Sequence, residues 1–410
     1  MAKNRVYKNI SCLITNRGVA EKNGVQPSEY DLGLIVNGAI AWSDQHGVLW
    51  AGPNNSLPKI FRGKSWKPVN CKGLVAYPGL VDPHTHMAFA GDRAREFELR
   101  MSGASYQDIA RAGGGILSTV TKTREVTKRE LTALIASRMQ AATRFGVRLL
   151  ETKSGYGLNK DAELKSLQAI QGAAKLVPGV KVISTCLAAH AIPEEFKSKP
   201  DEYVKILIHD ILPNAKKLAR YVDVFCDAGY FSIAQTETIL IAARSLGFGI
   251  RVHGEELAHT GVTELALKYG AASVDHLLKV SDVGIKALAS SNTVATLLPA
   301  TSFYLKEPPA PARKLISAGV PVALATDFNP GSSPTQNLPF VGTVAALQLG
   351  MTTAEIITGI TWNGARSLSE SQHYGTLLPG YLGRPVFVSG DHPSALFYRL
   401  ASSPIDFETV

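Results

Sequence analysis

Eight short apolar runs, each closing on a polar or ionisable residue, constrain this chain more than any other feature of it. In order they are PGLVDPHTH (78–86), VRLLETKSGYG (147–157), VKVISTCLAAH (180–190), YVDVFCD (221–227), GIRVHGE (249–255), ASVDHL (272–277), TVATLLP (293–299) and PVALATD (321–327). Runs rich in β-branched residues suit strands buried on both faces. Between them lie stretches such as KRELTALIASRMQAATRF, DAELKSLQAIQGAAKLV and GVTELALKYG, whose apolar residues recur at the spacing of an amphipathic helix. Eight strand–helix units predict a (β/α)8 barrel, an α/β fold with its helices in an outer ring.

The two ends of the chain read differently. Short alternating segments (SCLITN, LGLIVNGAIAWSD, GVLWAG) broken by Gly, Asn and Pro fill residues 1–75, and RPVFVSG and SALFYRL follow from about residue 381. The reading is therefore a barrel over 76–380 and a β-rich satellite domain built from 1–75 together with about 381–410. A length of 410 residues accommodates both, and 45% hydrophobic with 19% charged residues suits a packed core. No apolar stretch is long enough to span a membrane. The start MAKNRVYKNISCLITNRG has no apolar core followed by a cleavage site, so the expected compartment is the cytoplasm. Cys12, Cys71, Cys186 and Cys226 show no C-X-X-C spacing and are read as reduced thiols. The net charge of +9 is dispersed and not interleaved with aromatics, which argues against nucleic acid and suits a small anionic substrate.

Side chains at the C-terminal ends of barrel strands converge on one mouth. The first run ends in His84-Thr85-His86, the fifth carries His253, the sixth His276 and the eighth Asp327. Residues two apart on a strand point the same way, so His84 and His86 can face one ion together. Imidazoles with a carboxylate suit zinc or iron. Each element has a plainer explanation: H-X-H by chance, His253 or His276 as a hydrogen-bonded core histidine, Asp327 as a helix cap. Their joint placement at strand ends favours the metal reading. Gly113-Gly114-Gly115 has no following G-K-[ST] and is read as flexible or close-packed backbone, not a phosphate loop.

From about residue 74 to about residue 370 the chain also resembles the imidazolonepropionases of the amidohydrolase superfamily, through PGLVDPHTH, FAGDRAREFELR, ARAGGGILSTV, ETKSGYG, LAAHAIP, HGEEL, DHL and ATDFNPGSSP. FAGDR, ETKSGYG and TDFNPGSSP in this order are far more specific than H-X-H. The resemblance implies hydrolysis of the lactam ring of 4-imidazolone-5-propanoate to N-formimidoyl-L-glutamate in histidine catabolism. It implies one divalent metal per subunit, zinc or iron (Fe2+/Fe3+), on His84, His86, His253 and Asp327, and a homodimer. Substrate contacts are implied for Arg93, Tyr156, His190, Glu256, Asn329, Gly331 and Ser332. Asp327, Glu256 and His276 are the implied catalytic groups, with the choice among them as proton carrier open.

Physical chemistry gives several of these a task. Arg93 offers a planar fork to a propionate carboxylate, Tyr156 stands between two glycines that let the backbone turn, and His190 could hydrogen-bond the ring carbonyl or a developing oxyanion. Two departures stand out. The fourth run, YVDVFCD, lacks the lysine that bridges two metals in many superfamily members, which favours one ion, and Gly383–Val388 replaces the usual G-X-X-A-D-[LI]-V strand. The competing readings are another cyclic amide or amidine hydrolase or a nucleobase deaminase of the superfamily, and a catalytically silent binding relative.

Overall fold

The computed structural model describes residues 4–103, 114–402 and 405. Its first five strands, β1 (Asn4–Ile14), β2 (Leu34–Ser43), β3 (Gly47–Pro53), β4 (Lys67–Asn70) and β5 (Leu74–Tyr77), belong to one sheet. β1 pairs antiparallel with β2 and parallel with β4 and β5, while β2 pairs antiparallel with β3. Alternation along these strands buries Tyr7, Ile10, Leu13, Ile40, Trp42 and Val48 in one cluster.

The next eight strands form a second sheet, wholly parallel and in sequential order: β6 (Leu80–Asp82), β7 (Val147–Lys153), β8 (Lys181–Ala189), β9 (Tyr221–Cys226), β10 (Gly249–Gly254), β11 (Ser273–His276), β12 (Val294–Leu297) and β13 (Val322–Leu324). These are the eight runs read from the sequence. The strands are shorter than the runs, and β6 and β13 stop before the residues that matter most, at Asp82 and Leu324. Pro83 has no N–H to extend a ladder, and Asp327 adopts φ 51°, outside the strand region. The barrel is closed beyond those ends instead: His86 N–H donates to the Phe328 carbonyl at 2.8 Å and Asp327 N–H to that of His84 at 3.0 Å. The segments that seal the barrel thus carry three of the four predicted ligands, His84, His86 and Asp327.

At the opposite end the helix Trp362–Ser367 plugs the interior. Its Ala365, with Leu368, packs on Val81, Leu149, Ile183 and Tyr221, an apolar floor. Because strand side chains alternate, the residues two further along face the same interior, and they are ionic: Glu151 after Leu149, Asp223 after Tyr221. His253 follows Arg251 in the same way on β10. The interior is therefore layered, apolar below, charged in the middle and imidazole at the mouth.

The chain returns to the first sheet as β14 (Val386–Ser389), antiparallel to β5 with Val386 opposite Tyr77, and Phe387 joins the Tyr7 cluster. The atypical Gly383–Val388 segment still supplies the pairing strand, because what the sheet needs there is apolar alternation, which Val386 and Val388 provide. Gly113 of the glycine run and residues 406–410 of the expected satellite lie outside the described residues. Among the described residues no helix is long and apolar enough to cross a membrane.

Candidate active site

Three imidazole nitrogens and one carboxylate oxygen converge at the barrel mouth. His84 Nε2 and His86 Nε2 lie 3.2 Å apart, His86 Nε2 and His253 Nε2 3.3 Å apart. Asp327 Oδ1 stands 3.2 Å from His86 Nε2 and 3.5 Å from His84 Nε2. Donors held about 2.05 Å from one ion at tetrahedral corners are separated by about 3.3 Å, and these four spacings lie close to that value. Asp327 Oδ1 has no hydrogen-bond partner although buried, the condition of a group left for a ligand. His84, His86, His253 and Asp327 could therefore hold a metal ion.

Burial drives His84 well below the ordinary imidazole pKa, helped by the Lys153 cation, and lowers His86 against the pull of Asp327. Neutral imidazole is the form that binds metals. Burial resists ionisation of Asp327, but the adjacent His86 imidazole, the charge effect of His276 and the Thr301 hydroxyl outweigh it and bring the carboxyl to about 2. Thr301 Oγ1 donates to Asp327 Oδ2 at 2.7 Å, which leaves Oδ1 for the centre.

Two of the histidines are backed by a carboxylate that is itself backed by a cation. His84 Nδ1 lies 2.6 Å from Asp275 Oδ2, which also receives Arg251 Nη2 at 3.1 Å. His253 Nδ1 lies 3.0 Å from Asp223 Oδ1, whose other oxygen is 2.9 Å from Lys153 Nζ. A carboxylate accepts the Nδ1 proton, so the Nε2 lone pair is turned to the centre. Lys153 also bonds Glu151 at 2.8 Å, and both are fully buried. None of the residues of this layer is among those expected from the sequence. Its signal was present as polar residues at every second position of otherwise apolar strands: E-T-K on β7, R-V-H on β10 and S-V-D on β11.

His276 lies beside this group within ligand reach of His84 and His253, with φ 79° at the end of β11 and neither ring nitrogen hydrogen-bonded. Its Nδ1 is 3.6 Å from Glu256 Oε2. Burial, reinforced by the Asp327 charge, raises the Glu256 carboxyl to about 8. The loop that carries Glu256 is held by Asp227, whose carboxylate accepts N–H bonds from Glu256, Leu257 and Ala258 at 2.8, 2.9 and 3.0 Å.

Tyr156 and His190 form the wall above His86. The His190 ring stacks on that of His86 with centroids 5.1 Å apart, and Tyr156 meets His190 edge-on at 5.2 Å. His190 Nδ1 is 3.0 Å from the Gly155 carbonyl. The Tyr156 loop folds around Glu163, which accepts N–H bonds from Gly155, Gly157 and Leu158 at 3.0, 2.7 and 2.8 Å. Gly155, at φ 114°, has the conformation that the flanking glycines of Tyr156 suggest.

The loop after Asp327 is wrapped around Asn329. Its Oδ1 accepts the N–H groups of Gly331 and Ser332, both at 2.8 Å, while Nδ2 donates to the Asp327 carbonyl at 2.7 Å and to Ser332 Oγ at 2.9 Å. Arg93 reaches this loop from helix Ala94–Met101, its Nε and Nη2 both donating to Glu96 Oε2, at 2.8 and 2.6 Å. The candidate ligand, substrate-contact and catalytic residues thus lie at this one mouth, although they come from six strand ends and a helix start.

The sequence of residues 75–406 matches the Amidohydrolase family. The curated imidazolonepropionase of Bdellovibrio bacteriovorus is 43% identical over 401 residues, 97% of this chain and 93% of the relative. That of Clostridium tetani is 39% identical over 410 residues, 99% and 96% of the two chains. Among solved structures, zinc-complexed atrazine chlorohydrolase TrzN from Arthrobacter aurescens superposes with a TM-score of 0.70 at 15% identity, covering 98% of this chain and 93% of its own. A zinc-bound adenosine deaminase from Xanthomonas campestris also reaches 0.70 at 15% identity, covering 98% and 90%. Those structural likenesses carry the barrel alone, whereas the near-complete sequence matches carry the rest: this chain belongs to the imidazolonepropionases of the amidohydrolase family.

Proposed function

We propose that the protein hydrolyses the lactam of 4-imidazolone-5-propanoate to N-formimidoyl-L-glutamate in histidine degradation, using one divalent ion held by His84, His86, His253 and Asp327. The observation that carries the metal reading is the set of donor atoms at tetrahedral-edge spacing, with Asp327 Oδ1 left unpartnered. Three imidazoles and one carboxylate accept zinc or ferrous iron alike. A bound ion of this kind polarises a carbonyl and lowers the pKa of water.

The chain's own residues supply the rest. Asp327, ionised and with Oδ2 steadied by Thr301, accepts the proton of the attacking water. The water oxygen bonds to the ring carbonyl carbon, the carbon–nitrogen bond breaks, and the departing nitrogen takes a proton. Glu256 gives that proton, because burial keeps its carboxyl protonated at neutral pH. His276, with both ring nitrogens unpartnered beside Glu256, orients the reacting carbonyl and water. His190 acts as an acceptor. A carbonyl cannot donate, so the Nδ1 facing Gly155 carries the proton, and burial keeps the ring neutral, leaving Nε2 to receive a substrate ring N–H. That role differs from the oxyanion donor suggested by sequence alone.

Tyr156 packs on the substrate ring and Arg93 meets its carboxylate. Asn329 spends its amide on shaping the loop that presents Gly331 and Ser332. A cytoplasmic homodimer acting on a small anion, without nucleic acid or membrane, completes the reading.

Steady-state assays with imidazolone propanoate test it. Ring opening without ammonia release is expected; ammonia released from a purine or pyrimidine instead, with imidazolone propanoate untouched, would place the enzyme among the deaminases of the fold.

A further inference from the structure

We propose that Glu96 is a positioning residue of the anion-recognition subsite, fixing the Arg93 guanidinium so that its Nη1 side faces the 329–332 loop and its end-on Nη1/Nη2 edge meets the substrate's carboxylate. The inference rests on the reading of Arg93 as that carboxylate's partner.

An exposed ion pair three residues apart on a helix contributes little. This one differs, since the side chains of Arg93 and Glu96 are only 12% and 8% exposed. Glu96 Oε2 takes both Nε and Nη2 of Arg93, and Oε1 accepts the Gly115 N–H at 2.8 Å. With both oxygens engaged on different partners, the carboxylate cannot swing away. The Nε/Nη2 edge, the one commonly offered to a carboxylate, is consumed inside the protein. Paired bonds to a substrate must then come from the other edge.

Gly331 shows that the guanidinium is held against the loop. A Cβ built on Gly331 would lie 2.1 Å from Arg93 Nη1 and 2.6 Å from its Cζ. Residue 331 does not have a positive φ, so backbone conformation gives no reason for glycine there. Room for Arg93 does. On the far side, Arg100 Nη1 donates to the Gly331 carbonyl at 3.1 Å and pins the loop in place. Glu96 therefore holds the Nε/Nη2 edge while Gly331 leaves room for Nη1 and Cζ, and the substrate meets an arginine with one orientation. Pre-orientation of this kind improves recognition by reducing what must be ordered on binding.

The test uses the full-length, metal-loaded enzyme with imidazolone propanoate and with its uncharged propanamide counterpart. Glu96→Gln is expected to raise KM for the acid about tenfold with kcat within about twofold, and to lower the preference for acid over amide by the same factor. Loss of stability alone would depress both substrates alike. Gly331→Ala, which displaces the guanidinium while leaving Glu96 intact, should lower the preference in the same way, and it decides the question if Glu96→Gln does not fold. An unchanged or increased preference for the acid in these variants overturns the proposal, since Glu96 would then only neutralise Arg93. Arg93→Ala separates the two levels. If it abolishes the preference while Glu96→Gln and Gly331→Ala leave it unchanged, this inference alone fails; if Arg93→Ala also leaves the preference intact, the reading of Arg93 fails with it.

Discussion

Asp275 shows how much of a metal centre can sit behind its ligands. Its Oδ2 lies against His84 Nδ1 and Arg251, and its Oδ1 accepts Ser273 Oγ at 2.6 Å, so each oxygen has a defined task. Removing the whole side chain would leave the buried Arg251 with backbone carbonyls but no carboxylate partner and destabilise the barrel. Asp275→Asn is milder: it keeps the shape but can present an N–H to His84 and loosen the tautomer that frees Nε2. It is expected to weaken metal affinity about 10- to 100-fold in a chelator competition while the apo protein still folds. Retention of wild-type affinity would show that His84 is oriented by packing alone. His84→Ala, by contrast, should abolish stoichiometric metal in elemental analysis, because it removes a donor and not its support.

At the scale of elements, three of the site loops share one construction: each is folded around a single buried acceptor. Glu163 gathers three N–H groups of the Tyr156 loop, Asp227 three of the Glu256 loop, and Asn329 two of the loop after Asp327. Loops that carry reacting groups need a fixed shape, and a carboxylate that satisfies several backbone donors supplies it. Asp227→Ala would strand those N–H groups at about 1–3 kcal/mol for each that stays dry. The expected result is a large fall in kcat with metal content retained, since Asp227 touches the Glu256 loop and not the ligands; an unchanged kcat would detach Glu256 from the chemistry. None of these acceptors was legible as such in the sequence. Asp227 ends its apolar run like the other strand-terminal residues, and Glu163 reads as an ordinary first-turn helix acid. Their partners are backbone groups, which leave no trace in residue identity.

For the whole molecule, closure of the barrel and assembly of the site are one event, because β6 and β13 are joined through His84–His86 and Asp327–Phe328. Metal removal should therefore lower Tm as well as activity, in line with the stabilisation of the native state by a tightly bound ligand; a chelated protein with unchanged Tm would disconnect the two. Asp82 lies at the same seam, accepting Thr326 N–H at 3.0 Å and Thr326 Oγ1 at 2.6 Å. Burial raises its carboxyl to about 7, against the hydrogen bonds from Thr326. A folded pKa above the unfolded one means that this group's contribution to stability is full below about pH 4 and is lost as pH rises through about 7. In metal-free protein Asp82→Asn should thus lose less stability than the wild type between pH 5 and pH 8, measured by thermal melts. Equal slopes would show that Asp82 ionises freely.

The sequence by itself determined the eight-stranded parallel barrel, the β-rich ends and the identities of the strand-end histidines and Asp327, because periodicity and residue type are local properties that burial on two faces imposes directly. Its motifs also carried the family. Only the tertiary structure decided that β6 and β13 close through His84–His86 and Asp327–Phe328, that Lys153, Asp223, Asp275 and Arg251 form a charged layer beneath the imidazoles, and that the Nε/Nη2 edge of Arg93 is taken by Glu96. Those features depend on which groups from distant strands share a dry interior, where a charge must find its partner across the barrel and not along the chain.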